Sequence, residues 1–185
     1  DCRAARRRPW RRMFGAALYA EAVEQAIKLL KFHGKRRLAG PLGALMADFA
    51  RREMDGAAYD FILPVPLHKV RERERGFNQS RLLAAEVQPA FPNARLDGAL
   101  YRLRPTRTQS LSASPEERRA NIAGAFAVRG RHLEGKTVLL IDDVITTGVT
   151  TTECAAALGR AGAAAVDVFA AALVARTGRR TGPTR

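Results

Sequence analysis

Residues 137–141 (Thr-Val-Leu-Leu-Ile) form an apolar run with no alternation, ending on two adjacent carboxylates, Asp142 and Asp143, and a turn of small residues, Thr146-Thr147-Gly148. A strand that lacks alternation is covered on both faces, so it belongs inside a parallel sheet packed between helices. Residues 61–63 read as a second buried strand, stopped by Pro64-Val65-Pro66. Residues 100–103 suggest a short strand and 165–174 a long one. Between them lie helical periods. Residues 16–31 put Leu18, Val23, Ile27 and Leu30 on one face, with Glu21, Glu24 and Lys28 off it. Residues 37–51 carry a stripe of Leu38, Leu42, Leu45, Met46 and Phe49. Further helices are expected over 77–87 and 150–161, and Pro115-Glu116-Glu117 suits a helix start. Residues 67–76 and 104–115 read as loops. Strands alternating with helices over 185 residues predict one α/β domain, a parallel sheet flanked by helices with an N-terminal helical segment.

Charge narrows the partners. Lys and Arg number 32 against 18 Asp and Glu, a net charge of +14, and only five of the 32 are Lys. Arginine stays charged and forks onto phosphate, so anionic ligands are expected, whether nucleic acid or phosphorylated metabolites. Residues 1–15 read as a basic arm, 16–176 as the domain and 177–185 as a basic tail. Arg6, Arg7 and Arg8 look like the start of an export signal, but Glu21, Glu24 and Lys28 interrupt the stretch after them, so no apolar segment completes one. The longest apolar run, residues 161–175, is broken by Asp167 and falls short of the roughly 20 residues that a membrane span needs. A cytoplasmic protein without membrane insertion is expected. The chain begins on Asp1 rather than Met, as a fragment or processed product would.

The most specific stretch is residues 138–150. A buried strand delivers Asp142 and Asp143 at the end where ligands bind in open α/β sheets. A turn and a helix start come next, so the backbone N–H groups of Thr147, Gly148, Val149 and Thr150 are available to a phosphate. Thr146, Thr147 and Thr150 add hydroxyl donors. A phosphate beside two carboxylates calls for a ligand that also wants carboxylates, through a ribose diol or a Mg²⁺ ion. The competing reading, a solvated turn with Thr150 as a helix cap, leaves two charges at the end of a buried strand unexplained.

These thirteen residues resemble the signature for 5-phosphoribosyl 1-diphosphate (PRPP) of the type I phosphoribosyltransferases. The resemblance implies that fold, with Asp142 and Asp143 on the ribose hydroxyls, Thr146, Thr147, Gly148, Val149 and Thr150 around the 5′-phosphate, and Mg²⁺ held through the ligand and the two carboxylates. Other blocks resemble the ComF (competence protein F) family. They are Pro64-Val65-Pro66-Leu67-His68, Arg73-Glu74-Arg75-Gly76-Phe77-Asn78-Gln79, Arg104-Pro105-Thr106-Arg107-Thr108-Gln109-Ser110-Leu111, Glu117-Arg118-Arg119-Ala120-Asn121-Ile122 and Lys31-Phe32-His33-Gly34. That likeness spans residues 19–176 and implies a core related to amidophosphoribosyltransferases, with a link to DNA uptake. The family's four-cysteine zinc module is reduced here to Asp1-Cys2-Arg3, so no zinc is expected in this chain.

Pro66, Leu67, His68 and Lys69 form the expected diphosphate loop. Arg73, Arg75 and Arg104 are the candidates for neutralising a leaving diphosphate, and Arg71, Arg102, Thr106, Arg107, Thr108, Gln109, Arg118, Arg119 and Asn121 supply further donors nearby. The alternating Arg and Glu of 71–75 also fit a plain solvated surface. Cys154 reads as a buried small side chain and Cys2 as no nucleophile. His33, His68 and His132 lack metal-ligand spacing. Trp10 and Phe14 suit apolar anchors of the arm, with base stacking as the alternative. Two functions remain open. One is phosphoribosyl transfer from PRPP to a nitrogen acceptor, for which no general acid or base is evident. The other is a nucleic-acid-associated factor, acting with single-stranded DNA or the uptake machinery, that keeps the phosphoribosyl site. Acceptor and oligomeric state stay undetermined by sequence.

Overall fold

The computed structural model describes residues 8–105 and 115–175. The readings at Cys2, Arg6, Arg7, Thr106, Arg107, Thr108 and Gln109, and the basic tail, lie outside the described residues.

Five parallel strands form the sheet: β1 (Met13–Leu18), β2 (Phe61–Pro64), β3 (Arg95–Leu96), β6 (Thr137–Ile145) and β7 (Ala165–Leu173), in spatial order β1-β7-β6-β2-β3. β4 (Leu100–Arg102) and β5 (Phe126–Val128) make a separate antiparallel pair. The helices are α1 (Glu21–Phe32), α2 (Ala39–Glu53), α3 (Lys69–Arg75), α4 (Gln79–Val87), α5 (Pro115–Ile122) and α6 (Val149–Arg160).

The absence of alternation in residues 137–141 has the expected cause. Leu139 and Ile141 of β6 pack into one core with Ile27, Leu30, Met46 and Leu83 of α1, α2 and α4. Val138 and Leu140 enter a second core with Cys154 and Leu158 of α6 and Phe126 of β5. One sheet therefore divides two apolar layers, and β6 is buried from both sides. Helix α2 meets α4 closely because Gly43 has no side chain: a Cβ there would lie 2.2 Å from the Cβ of Glu86.

The N-terminal segment departs from expectation. The sequence predicts an arm to residue 15 and a first helix from 16, yet residues 13–18 form β1 at the sheet edge, and the helix starts at Glu21. Two contacts explain it. Phe14 packs edge-on against Phe49, which tilts onto Phe169. Asp167, fully buried on β7, accepts six hydrogen bonds, from the Arg11 and Arg12 side chains, the Arg12 amide and the Tyr59 hydroxyl. A buried carboxylate has to be paired, and these two arginines pair it. Arg11 and Arg12 thus hold the first strand in place rather than belonging to a free arm. Burial alone would raise the Asp167 carboxyl, but the hydrogen bonds from Arg11, Arg12 and Tyr59 outweigh it and hold the group below its ordinary range.

Residues 67–76 are a second departure. Most of this expected loop is helix α3. The Nδ1 of His68 accepts the Val70 amide at 3.3 Å as an N-terminal cap, and Arg71 pairs with Glu74 one turn on. No helix among the described residues is long and apolar enough to cross a membrane.

Candidate phosphoribosyl site

Strand β6 continues through Asp142 and Asp143 to Ile145. Asp142 is 8% exposed and Asp143 2%. Asp142 Oδ1 accepts the Ser80 hydroxyl at 3.1 Å, from the start of α4, and the Asp143 amide at 2.9 Å. Asp143 Oδ1 accepts the Val144 amide at 2.6 Å and pairs with Lys31 Nζ at 2.7 Å, from the last turn of α1. Its other oxygen, Oδ2, is buried with no hydrogen-bond partner among the described residues. Burial, with the adjacent Asp143 charge adding to it, pushes the Asp142 carboxyl up to about 7. Lys31 and the Ser80 and Asp143 donors act in the opposite direction.

Beyond β6 the chain turns through residues 146–148. Gly148 sits at φ 73°, ψ 8°, a left-handed conformation that a side chain would strain, and α6 starts immediately after it. The Gly148 carbonyl is occupied by the Thr152 amide and the Thr151 hydroxyl. The amides of residues 147–151 have no carbonyl or side-chain acceptor among the described residues, as expected of a helix start that lacks a capping side chain. Trp10 donates its indole N–H to Thr152 at 3.3 Å, which anchors the segment before β1 on this helix.

The expected diphosphate loop leaves β2 beside β6 at Ile141. The Val65 amide bonds the Ile141 carbonyl at 2.8 Å, and the Asn78 side chain donates to the Val65 carbonyl at 3.1 Å. Leu67 and His68 line a cleft of roughly 500 Å³ with Lys31, Phe32, Arg71 and Arg75. Pro66 and Lys69 face a neighbouring cleft with Asp97 and Tyr101, and Arg102 borders both.

The three expected catalytic arginines do not converge. Arg75 ends α3 beside the site: its guanidinium lies 5.7 Å from the Phe32 ring centre, donates to Gln79 and feels the charge of Asp143. Arg73 lies on the other side of α3, with Lys69, Glu72 and Gly76. Residues two apart share a face only in an extended chain, and here they ride a helix. Arg104 is exposed and donates to the Ala123 carbonyl at 2.9 Å, which ties it to the segment after α5.

Two contributors went unassigned in the sequence, Lys31 and Ser80. Both sit in singled-out surroundings, Lys31 in Lys31-Phe32-His33-Gly34 and Ser80 directly after Asn78-Gln79, but neither motif says what the side chain meets. Cys154 and His132 have structural surroundings. Burial raises the Cys154 thiol well above its ordinary value. His132 lies 3.3 Å from Asp97 and edge-on to Phe61. No cluster of three or more His, Cys, Asp or Glu suited to a metal occurs among the described residues.

Residues 97–184 match the phosphoribosyl transferase domain family. The chain is 37% identical over 168 residues to the DNA utilization protein YhgH of Escherichia coli, covering 87% of this chain and 71% of that one. It is 32% identical over 166 residues to competence protein F of Haemophilus influenzae, covering 86% and 72%. Among solved structures, a glutamine PRPP amidotransferase from B. subtilis aligns with 72% of this chain at 18% identity and a TM-score of 0.49, and this chain spans about a quarter of its length, 26%. With relatives of this identity and coverage, the chain belongs to the competence protein F (ComF) family.

Proposed function

We propose that this chain binds PRPP with Mg²⁺ at the turn between β6 and α6. The observation that carries this reading is the pairing of unbonded amides at residues 147–151 with a buried carboxylate oxygen, Asp143 Oδ2, that has no partner among the described residues. The amides and the α6 dipole suit the 5′-phosphate. Asp142 and Asp143 suit the ribose hydroxyls, as hydrogen-bond acceptors on a rigid strand. Lys31, Arg75, Leu67 and His68 line one cleft, which supports a diphosphate extending there, and Pro66 and Lys69 border the cleft next to it. Arg73, which lies with Lys69, Glu72 and Gly76, and Arg104, bonded to the Ala123 carbonyl, are not among the residues on which this reading rests.

Two carboxylates without a third ligand group do not form a complete metal cage, but they fit Mg²⁺, which is commonly held by one or two carboxylates together with a ligand's phosphates. Bound in that way, Mg²⁺ would offset the charge of a leaving diphosphate. The chain's own contribution to transfer would be to fix the ribose and direct cations at the diphosphate.

Calorimetric titration of PRPP with Mg²⁺ tests the reading. Wild type should bind, and Asp142→Asn/Asp143→Asn should not, while its circular dichroism and melting stay cooperative. Equal binding by both proteins would refute it. Turnover is a separate matter, read as diphosphate release with a panel of amines and bases.

A second reading, association with single-stranded DNA or an uptake apparatus, is favoured by the +14 charge and by relatives named for DNA utilization and competence. DNA affinity falling steeply with salt would support it. The arm should be trimmed only through residue 7, because Trp10, Arg11 and Arg12 are bonded into the fold.

A further inference from the structure

Lys31 is a site residue whose charge opposes what the carboxylates would otherwise attract. Its ammonium lies 2.7 Å from Asp143 Oδ1, and its side chain is only 18% exposed. It projects from the last turn of α1, where the helix dipole favours a cation. The neighbouring contacts to this carboxylate pair, from Ser80 and the amides of Asp143 and Val144, are neutral donors. Arg75 acts on Asp143 through its charge while its guanidinium bonds Gln79. Asp143 Oδ2 nevertheless remains without a partner among the described residues. The pair is thus neutralised on one oxygen and left open on another.

We infer that Lys31 is a resident counter-cation that keeps the Asp142–Asp143 pair from taking up a free divalent ion, so that a metal enters only together with a polyphosphate ligand. A free ion gains the attraction of Asp143 only by displacing an ammonium already paired with it in a largely buried contact. A metal arriving on a diphosphate brings negative charge to which the ammonium can turn, so Lys31 exchanges one anion for another. Lys31 is a positioning and specificity residue, and the second half of this inference rests on the PRPP reading above.

Mn²⁺ serves as the spectroscopic probe. In electron paramagnetic resonance titrations of the full chain without ligand, wild type and Lys31→Arg should hold no Mn²⁺ below millimolar concentration. Lys31→Met and Lys31→Gln, which keep the stem and lose the charge, should each gain one site at least about tenfold tighter. The two neutral variants guard against loss of fold in either one, which melting curves would report. With PRPP and Mg²⁺ the order should reverse, the neutral variants binding PRPP about tenfold more weakly than wild type. Mn²⁺ binding by wild type as tight as by Lys31→Met, or no gain in either neutral variant, would overturn the inference. If the Mn²⁺ gain occurs but wild type takes no PRPP, the proposed function fails while the counter-cation role of Lys31 stands.

Discussion

Asp142 should make this protein less stable as pH rises from about 4 toward neutrality. In the folded chain, burial and the adjacent Asp143 charge lift its carboxyl from 3.8 to about 7. The unfolded chain releases the same proton near pH 4, so between about pH 4 and about pH 7 the native state binds more protons. The stability tied to this group is fully present below about pH 4, declines as pH rises, and is gone above about 7. The interval spans about three pH units at roughly 1.4 kcal/mol each, hence on the order of 4 kcal/mol shared within the coupled Asp142–Asp143 pair. Asp142→Asn removes the titration while keeping an oxygen that can accept from Ser80 and the Asp143 amide. Urea unfolding of both proteins from pH 4.5 to pH 8 gives the difference for the Asp142–Asp143 pair, and groups not coupled to that pair cancel in it. The variant should gain on wild type steadily with pH, by a few kcal/mol at pH 8. A difference constant within about 0.5 kcal/mol across the range would refute the reasoning, because Asp142 would then be as readily charged folded as unfolded.

Two other substitutions probe different parts of the account. Asp167→Asn should cost about 2–4 kcal/mol in urea unfolding, somewhat below a fully buried ion pair because Arg11 and Arg12 are 49% and 45% exposed and can rehydrate. Its native carboxyl is held low, so the stability it contributes is present above the unfolded pKa and is lost as acid takes pH down through the folded value, opposite in sign to Asp142. Wild type and variant should therefore converge in stability only in strong acid. Gly148→Ala forces a side chain into the left-handed region, at about 1–2 kcal/mol of stability, and should weaken PRPP binding by disturbing the amides of the turn. Melting and calorimetry on the same protein measure both effects.

How far the sequence could be read depends on the range of the contacts involved. The β6–α6 segment was legible because strand, carboxylates, turn and helix start are consecutive, and each has a local signature. Asp142 and Asp143 stand on the strand where expected, though the strand runs on to Ile145 and buries them more deeply than a strand-end pair. The partners of those carboxylates were not legible, since Lys31 and Ser80 reach them from other elements. The same holds for Asp167, whose bond from Tyr59 joins residues 108 apart. The arginine-rich beginning concealed β1, because its strand character comes from pairing with β7 and from Phe14 against Phe49 rather than from its own composition. Arg71, Arg73 and Arg75 looked like a single cationic row at every second position. Capping by His68 and the Arg71–Glu74 pair wind them into α3, which leaves Arg75 alone beside Asp143.

The central claim is that the amides of the β6–α6 turn hold a ligand's phosphate. Amide nuclear magnetic resonance spectra recorded during titration with PRPP and Mg²⁺ address it residue by residue. Residues 147–151 should show the largest shifts, saturating together with those of Asp142 and Asp143. Shifts concentrated elsewhere, with the turn unchanged at saturation, would contradict it.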